Sequence, residues 1–334
     1  MIATSLVTGG AGFIGSHIVN HLISGGYQVI VLDDLSGGDK ENVHPEAKLI
    51  IGSITDSNLV NQLFEQYKFT YVYHLAAYAA EGLSPFIRKF NYENNLVGSI
   101  NLINAAVNHQ VKCFVFTSSI AVYGHGNLPM KETDQPEPVD PYGIAKYAVE
   151  LDLKNAHDLF DLNYVIFRPH NVYGPNQNIG DKYRNVVGIF MNQILNNQPL
   201  TIFGDGEQKR AFSYIDDVAP HIAESVKNTL AYNCIFNIGS NRVYSVNELA
   251  KSVKKSMRSD LEIEYLDSRN EVTDAYSEHS LFKKIFKPNP EILLNEGIYQ
   301  MATWVKKHGA RSSKAFEKIE ITQDMPSSWQ ETNE

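Results

Sequence analysis

Short runs rich in β-branched and aromatic residues recur through the first half of the chain, at residues 2–7, 28–32, 48–51, 71–75, 112–117 and 163–167. Between them apolar positions fall three and four apart over residues 13–24, 56–67, 88–109 and 141–160, the spacing of helices with one buried face. The third of these carries Leu96, Ile100, Ile103 and Val107 as one stripe, which needs an apolar partner in its own sheet or in another subunit. Strands alternating with helices of this length predict βαβ units and an α/β fold with a parallel sheet covered on both faces. After residue 168 the rhythm changes. A polar, Asn/Gly-rich loop at 174–185 leads to a helix over 186–197, and mixed short elements follow at 200–203, 216–228, 235–238 and 245–257. Ile298, Met301, Ala302 and Val305 mark the apolar face of a last helix. Beyond residue 310 the chain reads as a polar, loosely held tail.

Composition narrows the classes of function. The chain has 334 residues, of which 43% are hydrophobic and 20% charged, as in an ordinary globular protein long enough for about two domains. Its 29 Lys and Arg against 38 Asp and Glu leave a net charge of −9, with no basic run to grip nucleic acid or an anionic membrane. Any anion must therefore be met by a few placed cations in a cleft. Cys113 and Cys234 are too few for a disulfide framework or a four-cysteine zinc site, so no metal is expected and both read as small buried hydrophobes. The first residues lack a basic segment of the signal-peptide kind, and no apolar stretch reaches the ~18 residues that span a bilayer. The cytoplasm is the expected compartment.

Two patterns carry chemistry. Residues 8–16, TGGAGFIGS, set Gly9, Gly12 and Gly15 in a GxxGxxG array between the first strand and the first helix. Glycine there allows a tight turn and close approach of backbone to a pyrophosphate, and the helix amino terminus offers N–H groups to the phosphates. The same glycines would also serve packing alone. Strand two ends at Asp33, at the distance where a carboxylate accepts from an adenosine ribose. No arginine lies between Asp33 and Asp39 to welcome a 2′-phosphate, which favours NAD over NADP. Tyr142 and Lys146 form a YxxxK on a helix opened by Asp140-Pro141, placing phenol and ammonium on one face. A neighbouring cation lowers a phenol's pKa and lets it act as a base. Upstream, Ser118 and Ser119 end strand five, where α/β sheets put their ligands; one of them would then hydrogen-bond the reacting oxygen and the other cap the strand.

Taken with HLAA at 74–77, TSSIAVYG at 117–124, DPYGIAK at 140–146 and RPHNVYGP at 168–175, these residues resemble the extended short-chain dehydrogenase/reductases. Within them the match is to the NAD-dependent nucleotide-sugar epimerase/dehydratase branch, over nearly the whole chain to about residue 310. The resemblance implies a Rossmann-type doubly wound sheet over residues 1–168, with 205–240 returning to it. A smaller mixed α/β domain for the nucleotide sugar would occupy 169–310, and the tail 311–334. It implies Ser119, Tyr142 and Lys146 as the catalytic triad. NAD contacts carried over are Gly9, Gly12, Phe13, Ile14, Gly15, Asp33, Leu35, Ser36, Ser53, Ile54, Leu75, Ala76, Ala77, Tyr142, Lys146 and Pro169. For a UDP-sugar they are Ser118, Ser119, Tyr142, Asn171, Arg184, Asn185, Thr201, Phe203, Arg210 and Arg269, with the backbone around Thr201–Phe203 holding the uracil. Ser53 replaces an acid that touches adenine in many relatives, and Pro169 replaces an aromatic residue at the nicotinamide wall.

The branches differ beyond strand five. Sugar 4,6-dehydratases carry an acid pair where this chain has Ile120 and Ala121, neither able to move a proton, which leaves 4-epimerisation through a transient 4-keto sugar. In the loop 178–185, Arg184 or Lys182 is placed to meet a C6 carboxylate, since arginine suits carboxylates bidentately. The run through residues 168–194 is also more similar to UDP-glucuronic acid 4-epimerases. The expected reaction is thus interconversion of UDP-glucuronic and UDP-galacturonic acid, with UDP-glucose or UDP-N-acetylglucosamine as the alternative. A decarboxylase, a dehydratase or a non-catalytic NAD-binding regulator stands further off. Relatives pair two helices per subunit in a homodimer, here those over 88–109 and 141–160.

Overall fold

The computed structural model describes residues 2–268, 272–312 and 316–329. Seven parallel strands form the central sheet, six of them β1 (Thr4–Thr8), β2 (Gln28–Asp33), β3 (Lys48–Ile51), β4 (Tyr71–His74), β5 (Cys113–Thr117) and β6 (Tyr164–Pro169). The seventh, Cys234–Ile238, pairs with β6 and comes from beyond the loop region. The order is Cys234–Ile238, β6, β5, β4, β1, β2, β3, so the direction of strand addition reverses between β1 and β4.

Alternation explains how both faces are covered. Val29 and Val31 of β2 enter one apolar cluster with Ile18, Val19 and Leu22 of α1 (Phe13–Ser24), while Ile30 and Leu32 enter another on the opposite face. That second layer is built from α2 (Ser57–Tyr67), α4 (Gly98–Asn108) and α5 (Pro141–Phe160). Asp56 caps α2 and Asp140 caps α5, each accepting from N–H groups of the first turn. Cys113 is buried and Cys234 half-buried.

The expected helix over 88–109 is interrupted. It runs as α3 (Arg88–Tyr92), a π turn (Glu93–Val97) and α4. The π turn aims Asn95 back at the loop after β4, where its side chain accepts from the Tyr78 N–H at 2.8 Å and donates to the Tyr78 carbonyl at 3.1 Å. One extra residue shifts the helical phase. The buried face of α4 therefore centres on Leu102, Ile103 and Ala106, and Leu96, Ile100 and Val107 sit at its edge.

Past β6, α6 (Val186–Leu195) and the strand Leu200–Phe203, parallel to Ile263–Leu266, build the second lobe with the helix Val246–Met257. Residues 216–228 are broken into short turns around Ala219–Glu224, with Pro220 in its first turn. Ile298, Met301, Ala302 and Val305 are buried on the helix Leu294–His308 as the periodicity requires. No helix among the described residues is long and apolar enough to cross a membrane.

Residues 316–329 are not a loosely held tail. Met325 and Trp329 are buried, and Phe316 and Ile319 pack with them against Leu83, Ile87 and Tyr183. Polarity hid this, because a few aromatic anchors among many charges suffice to seat a segment.

Behind the carboxyl end of the sheet, Arg168 of β6 and Glu150 of α5 form a two-toothed ion pair whose side chains are each 2% exposed. Arg168 also lies over the Tyr123 ring at 4.7 Å. Removing one partner strands the other charge in the interior. Arg168→Leu is expected to destabilise the fold by about 3–5 kcal/mol, read as a lowered urea midpoint; an unchanged midpoint would mean the pair is dispensable.

Candidate active site

Where strand order reverses, chains leave β1 and β4 to opposite sides and a cleft opens at their carboxyl ends. Glycine shapes its floor. Gly9 has φ +71°, and a Cβ there would lie 2.7 Å from the Ala76 nitrogen. A Cβ on Gly15 would lie 2.0 Å from the Gly9 carbonyl oxygen. The first turn of α1 thus meets the strand end closely, and its N-cap, Gly12, has no side chain to engage the free N–H groups. Phe13, Ile14, Leu75, Ala76 and Ala77 line the cleft alongside.

Asp33 closes this end. Its carboxylate accepts from Leu35 N–H at 2.8 Å and Ala11 N–H at 3.0 Å. Burial raises its pKa and those donors oppose the rise. Leu35, expected to touch the cofactor, does not line the cleft; its left-handed backbone (φ +61°) turns its N–H onto Asp33 instead. Ser36, Ser53 and Ile54 do line it, with Ser53 Oγ 2.8 Å from Thr55 Oγ1. A turn whose space any Cβ would fill, opening onto uncapped helix N–H groups and ending at a buried acid, fits a dinucleotide.

Tyr142 and Lys146 stand on one face of α5, both buried. Lys146 Nζ donates to the Thr117 carbonyl at 2.8 Å and lies 5.8 Å from the Tyr142 ring centroid. Ser119 accepts from Ala121 N–H at 3.1 Å, opening the short turn Ile120–Tyr123, and its side chain lines the cleft beside the Tyr142 phenol. Serine, tyrosine and lysine are brought together. Ser118 is committed elsewhere. Its hydroxyl donates to Glu150, so although it lines the cleft its proton is held by the buried ion pair and not offered to a sugar.

The expected lowering of the phenol by Lys146 does not appear among the influences on it. Burial pushes Tyr142 up and Glu81 and Asp140 add to the rise, while the neighbouring Ser119 hydroxyl and Arg184 oppose it. Burial also takes Lys146 down to about 7, against the pull of Glu150, so the ammonium holds its own charge weakly.

Asn171 and Asn185 line the other lobe. The Asn185 side chain is engaged locally, capping α6 through Val187 N–H and donating to the Val172 carbonyl. Asn171 donates to Ala211 O at 3.2 Å. Thr201, Phe203 and Pro169 also line the cleft, as does Arg210, whose guanidinium is steadied by the carbonyls of Lys209, Val272 and Thr273. Arg269 lies outside the described residues. Arg184 reaches the cleft but already pairs with Asp181 at 2.6 Å, and it lies over the Tyr78 ring at 5.0 Å. Lys182 is not among the lining residues; its ammonium lies over Tyr183. Motif spacing does not single out Tyr78, Glu81 and Tyr183, which line the cleft alongside Arg184. The run YAAEG directly after HLAA at a strand's carboxyl end was the available signal.

The NAD dependent epimerase/dehydratase family model matches residues 5–239, well over half of the chain. The chain belongs to that family. A putative UDP-glucose 4-epimerase of Methanocaldococcus jannaschii is 37% identical over 311 residues, covering 91% of this chain and 98% of the relative. The crystal structure of a Thermotoga maritima UDP-glucose 4-epimerase with UDP-glucose superposes with TM-score 0.87 at 36% identity, covering 91% of this chain and 99% of that one. A Bacillus cereus UDP-glucuronic acid 4-epimerase, solved with UDP-glucuronic acid and NAD, gives TM-score 0.84 at 26% identity, over 91% and 99% of the two chains. NAD is the cofactor of the family, and the glycine turn and Asp33 suit it.

Just behind Asn171, the rings of His170 and His279 stack at 5.3 Å with their Nε2 atoms 3.2 Å apart, both buried. Burial holds both well below the ordinary 6.5, His170 at about 4, with Lys283 lowering His279 further and Glu291 opposing at His170. Unfolded, each takes up a proton near pH 6.5; folded, neither does until far lower pH. Stability is thus full above 6.5 and falls as pH drops toward 4, by up to about 1.4 kcal/mol per pH unit for each histidine. His279→Gln is expected to flatten that fall in urea titrations at pH 7 and pH 5. An identical fall in the variant would show that the pair does not set the acid limit.

Proposed function

We propose that this chain is a UDP-hexose 4-epimerase acting on the neutral pair UDP-glucose and UDP-galactose. The reading is carried by the meeting of Ser119, Tyr142 and Lys146 beside the glycine turn, next to the aliphatic Ile120 and Ala121. Eliminating water across C5 and C6 needs an acid and a base at those two positions, and neither side chain can move a proton. Oxidation and re-reduction at C4 is the cycle that remains.

In this reading Gly9, Gly12 and Gly15 would hold the NAD pyrophosphate at the first turn of α1, with Asp33 on the adenosine ribose. NAD bound there supplies reversible hydride transfer at C4 and a positive ring near the phenol. Tyr142 removes the C4 hydroxyl proton and returns it to the other face once the keto sugar has turned. Ser119 holds the same oxygen. Lys146, pinned by the Thr117 carbonyl, lends positive potential to a phenol that burial has made a reluctant acid. Asn171, Asn185, Arg210 and the strand Leu200–Phe203 would clamp UDP while the sugar remains free to rotate.

Charge favours a neutral sugar. Arg184 is engaged by Asp181, and Glu81 and Asp140 bring carboxylates close to Tyr142, so a C6 carboxylate would enter an acidic neighbourhood. A second reading, UDP-glucuronic acid, draws support from Arg184 lining the cleft: it would require the guanidinium to exchange Asp181 for the substrate. We also propose a homodimer through the helical stretch of α3, the π turn and α4 together with α5, which present Val97, Ile144 and Leu151 to solvent at 51%, 39% and 52% exposure.

Separate incubations with UDP-glucose and UDP-glucuronic acid, followed by product separation, test the choice. UDP-galactose is the expected product of the first. Turnover of UDP-glucuronic acid alone would reverse the assignment, and release of UDP-xylose would overturn the argument from Ile120 and Ala121. Tyr142→Phe is expected to cut turnover by about 10²-fold or more while NAD stays bound; an active variant would remove the phenol from the chemistry.

A further inference from the structure

Residues 316–329 stand on both walls of the cleft at once. On the sheet side, the Glu320 carboxylate accepts from the N–H groups of Lys89 at 2.7 Å and Phe90 at 2.8 Å, the first turn of α3, which has no other side-chain cap. The N–H groups of Glu320 and Ile321 both donate to the Phe86 carbonyl. Phe316 packs on Tyr78 and Phe90, with ring centroids 5.2 and 4.9 Å away. On the far side, the Phe316 N–H donates to the Tyr183 hydroxyl at 3.2 Å. Trp329, 4% exposed, meets Tyr183 at 5.2 Å and Phe203 at 6.3 Å.

The residues it touches are cleft walls. Tyr78 and Phe90 follow β4, Tyr183 and Phe203 belong to the second lobe, and all four line the cleft. Tyr78 carries Arg184 over its ring. The segment bound by Glu320 continues to the catalytic helix: Asn91 donates to the Pro141 carbonyl at 2.8 Å, and the Ser84 hydroxyl accepts from the Tyr142 N–H at 3.2 Å. Among the described residues, the strap itself does not line the cleft.

We propose that residues 316–329 are a positioning and specificity element for the nucleotide sugar, a staple that fixes the separation of Phe203 at one end from Tyr78 and Arg184 at the other. This rests on the UDP-sugar reading. A substrate clamped by its nucleotide reaches Tyr142 only if that separation matches its length. Loss of the staple therefore weakens substrate binding before it touches the proton transfer, and leaves the NAD end, on the opposite side of β1, unaffected.

The full-length chain carrying Trp329→Ala, Trp329→Phe or Glu320→Gln tests this. Trp329→Ala is expected to keep its NAD and its kcat within about threefold, while KM for UDP-glucose and the Kd for UDP alone rise about tenfold or more. Trp329→Phe, which keeps a ring between the walls, should recover most of the loss. Unchanged KM and Kd in Trp329→Ala overturn the proposal, as does a fall in kcat alone. If that variant does not fold, Glu320→Gln is read by the same two constants, with a rise expected and no change overturning. Should the wild-type chain bind no UDP, the UDP-sugar reading has failed, and hydrogen exchange decides the staple separately. Faster exchange over both 84–95 and 183–203 in the variants supports it; acceleration confined to 316–329 overturns it.

Discussion

The approach of α1 to the end of β1 is the contact on which the cleft depends. Two glycines make it possible, since either side chain would strike backbone that cannot yield. From that turn the rest is held by hydrogen bonds. The Gly9 N–H donates to the Leu32 carbonyl, Ala11 N–H to the Asp33 carboxylate, and the Ala11 carbonyl accepts from the Asp39 N–H and the Asn42 amide. Glycine turn, buried acid and the loop after β2 therefore move as one body. A dinucleotide meets a surface shaped beforehand, so little ordering opposes its binding.

The opposite side of the cleft is held by charge. Ser118, Glu150 and Arg168 join β5, α5 and β6 behind the reacting face, and Glu150 lies one turn beyond Lys146 on the same helix. Its carboxylate favours the ammonium of Lys146 against a burial that would discharge it. For a chain with net charge −9, anionic ligands must be met by gathered cations. Lys146, Arg184 and Arg210 are gathered, yet each is also held by protein oxygen: a carbonyl for Lys146, a carboxylate for Arg184, carbonyls for Arg210. The cations are fixed in place, and their effect on a ligand is tempered by what fixes them.

What could be read in the sequence was local. Gly9, Gly12 and Gly15, the Tyr142–Lys146 spacing, and the ends of α1 and α5 follow from neighbours a few residues apart, where period and turn chemistry act. Spacing alone leaves Ser118 and Ser119 open and only the family resemblance points to Ser119, because the group that takes the Ser118 proton, Glu150, lies on another element. Nor was the pairing of Arg184 with Asp181, where side-chain direction rather than spacing decides. The seating of residues 316–329 is hidden for the same reason: Glu320 finds its partner 231 residues away, and Phe316, Ile319, Met325 and Trp329 are scattered among polar residues.

The π turn at Glu93–Val97 leaves a mark on how this chain can change. Upstream of it, Asn91 and Asn95 serve Pro141 and Tyr78; downstream, Leu102, Ile103 and Ala106 face the sheet. Deleting one residue there would restore a regular helical ladder, but it would rotate one of these sets by about 100° relative to the other. Side chains in that stretch can be exchanged singly, each at its own local cost. Its length cannot drift, and insertions or deletions in descendants of this chain are expected to fall in other parts of the fold.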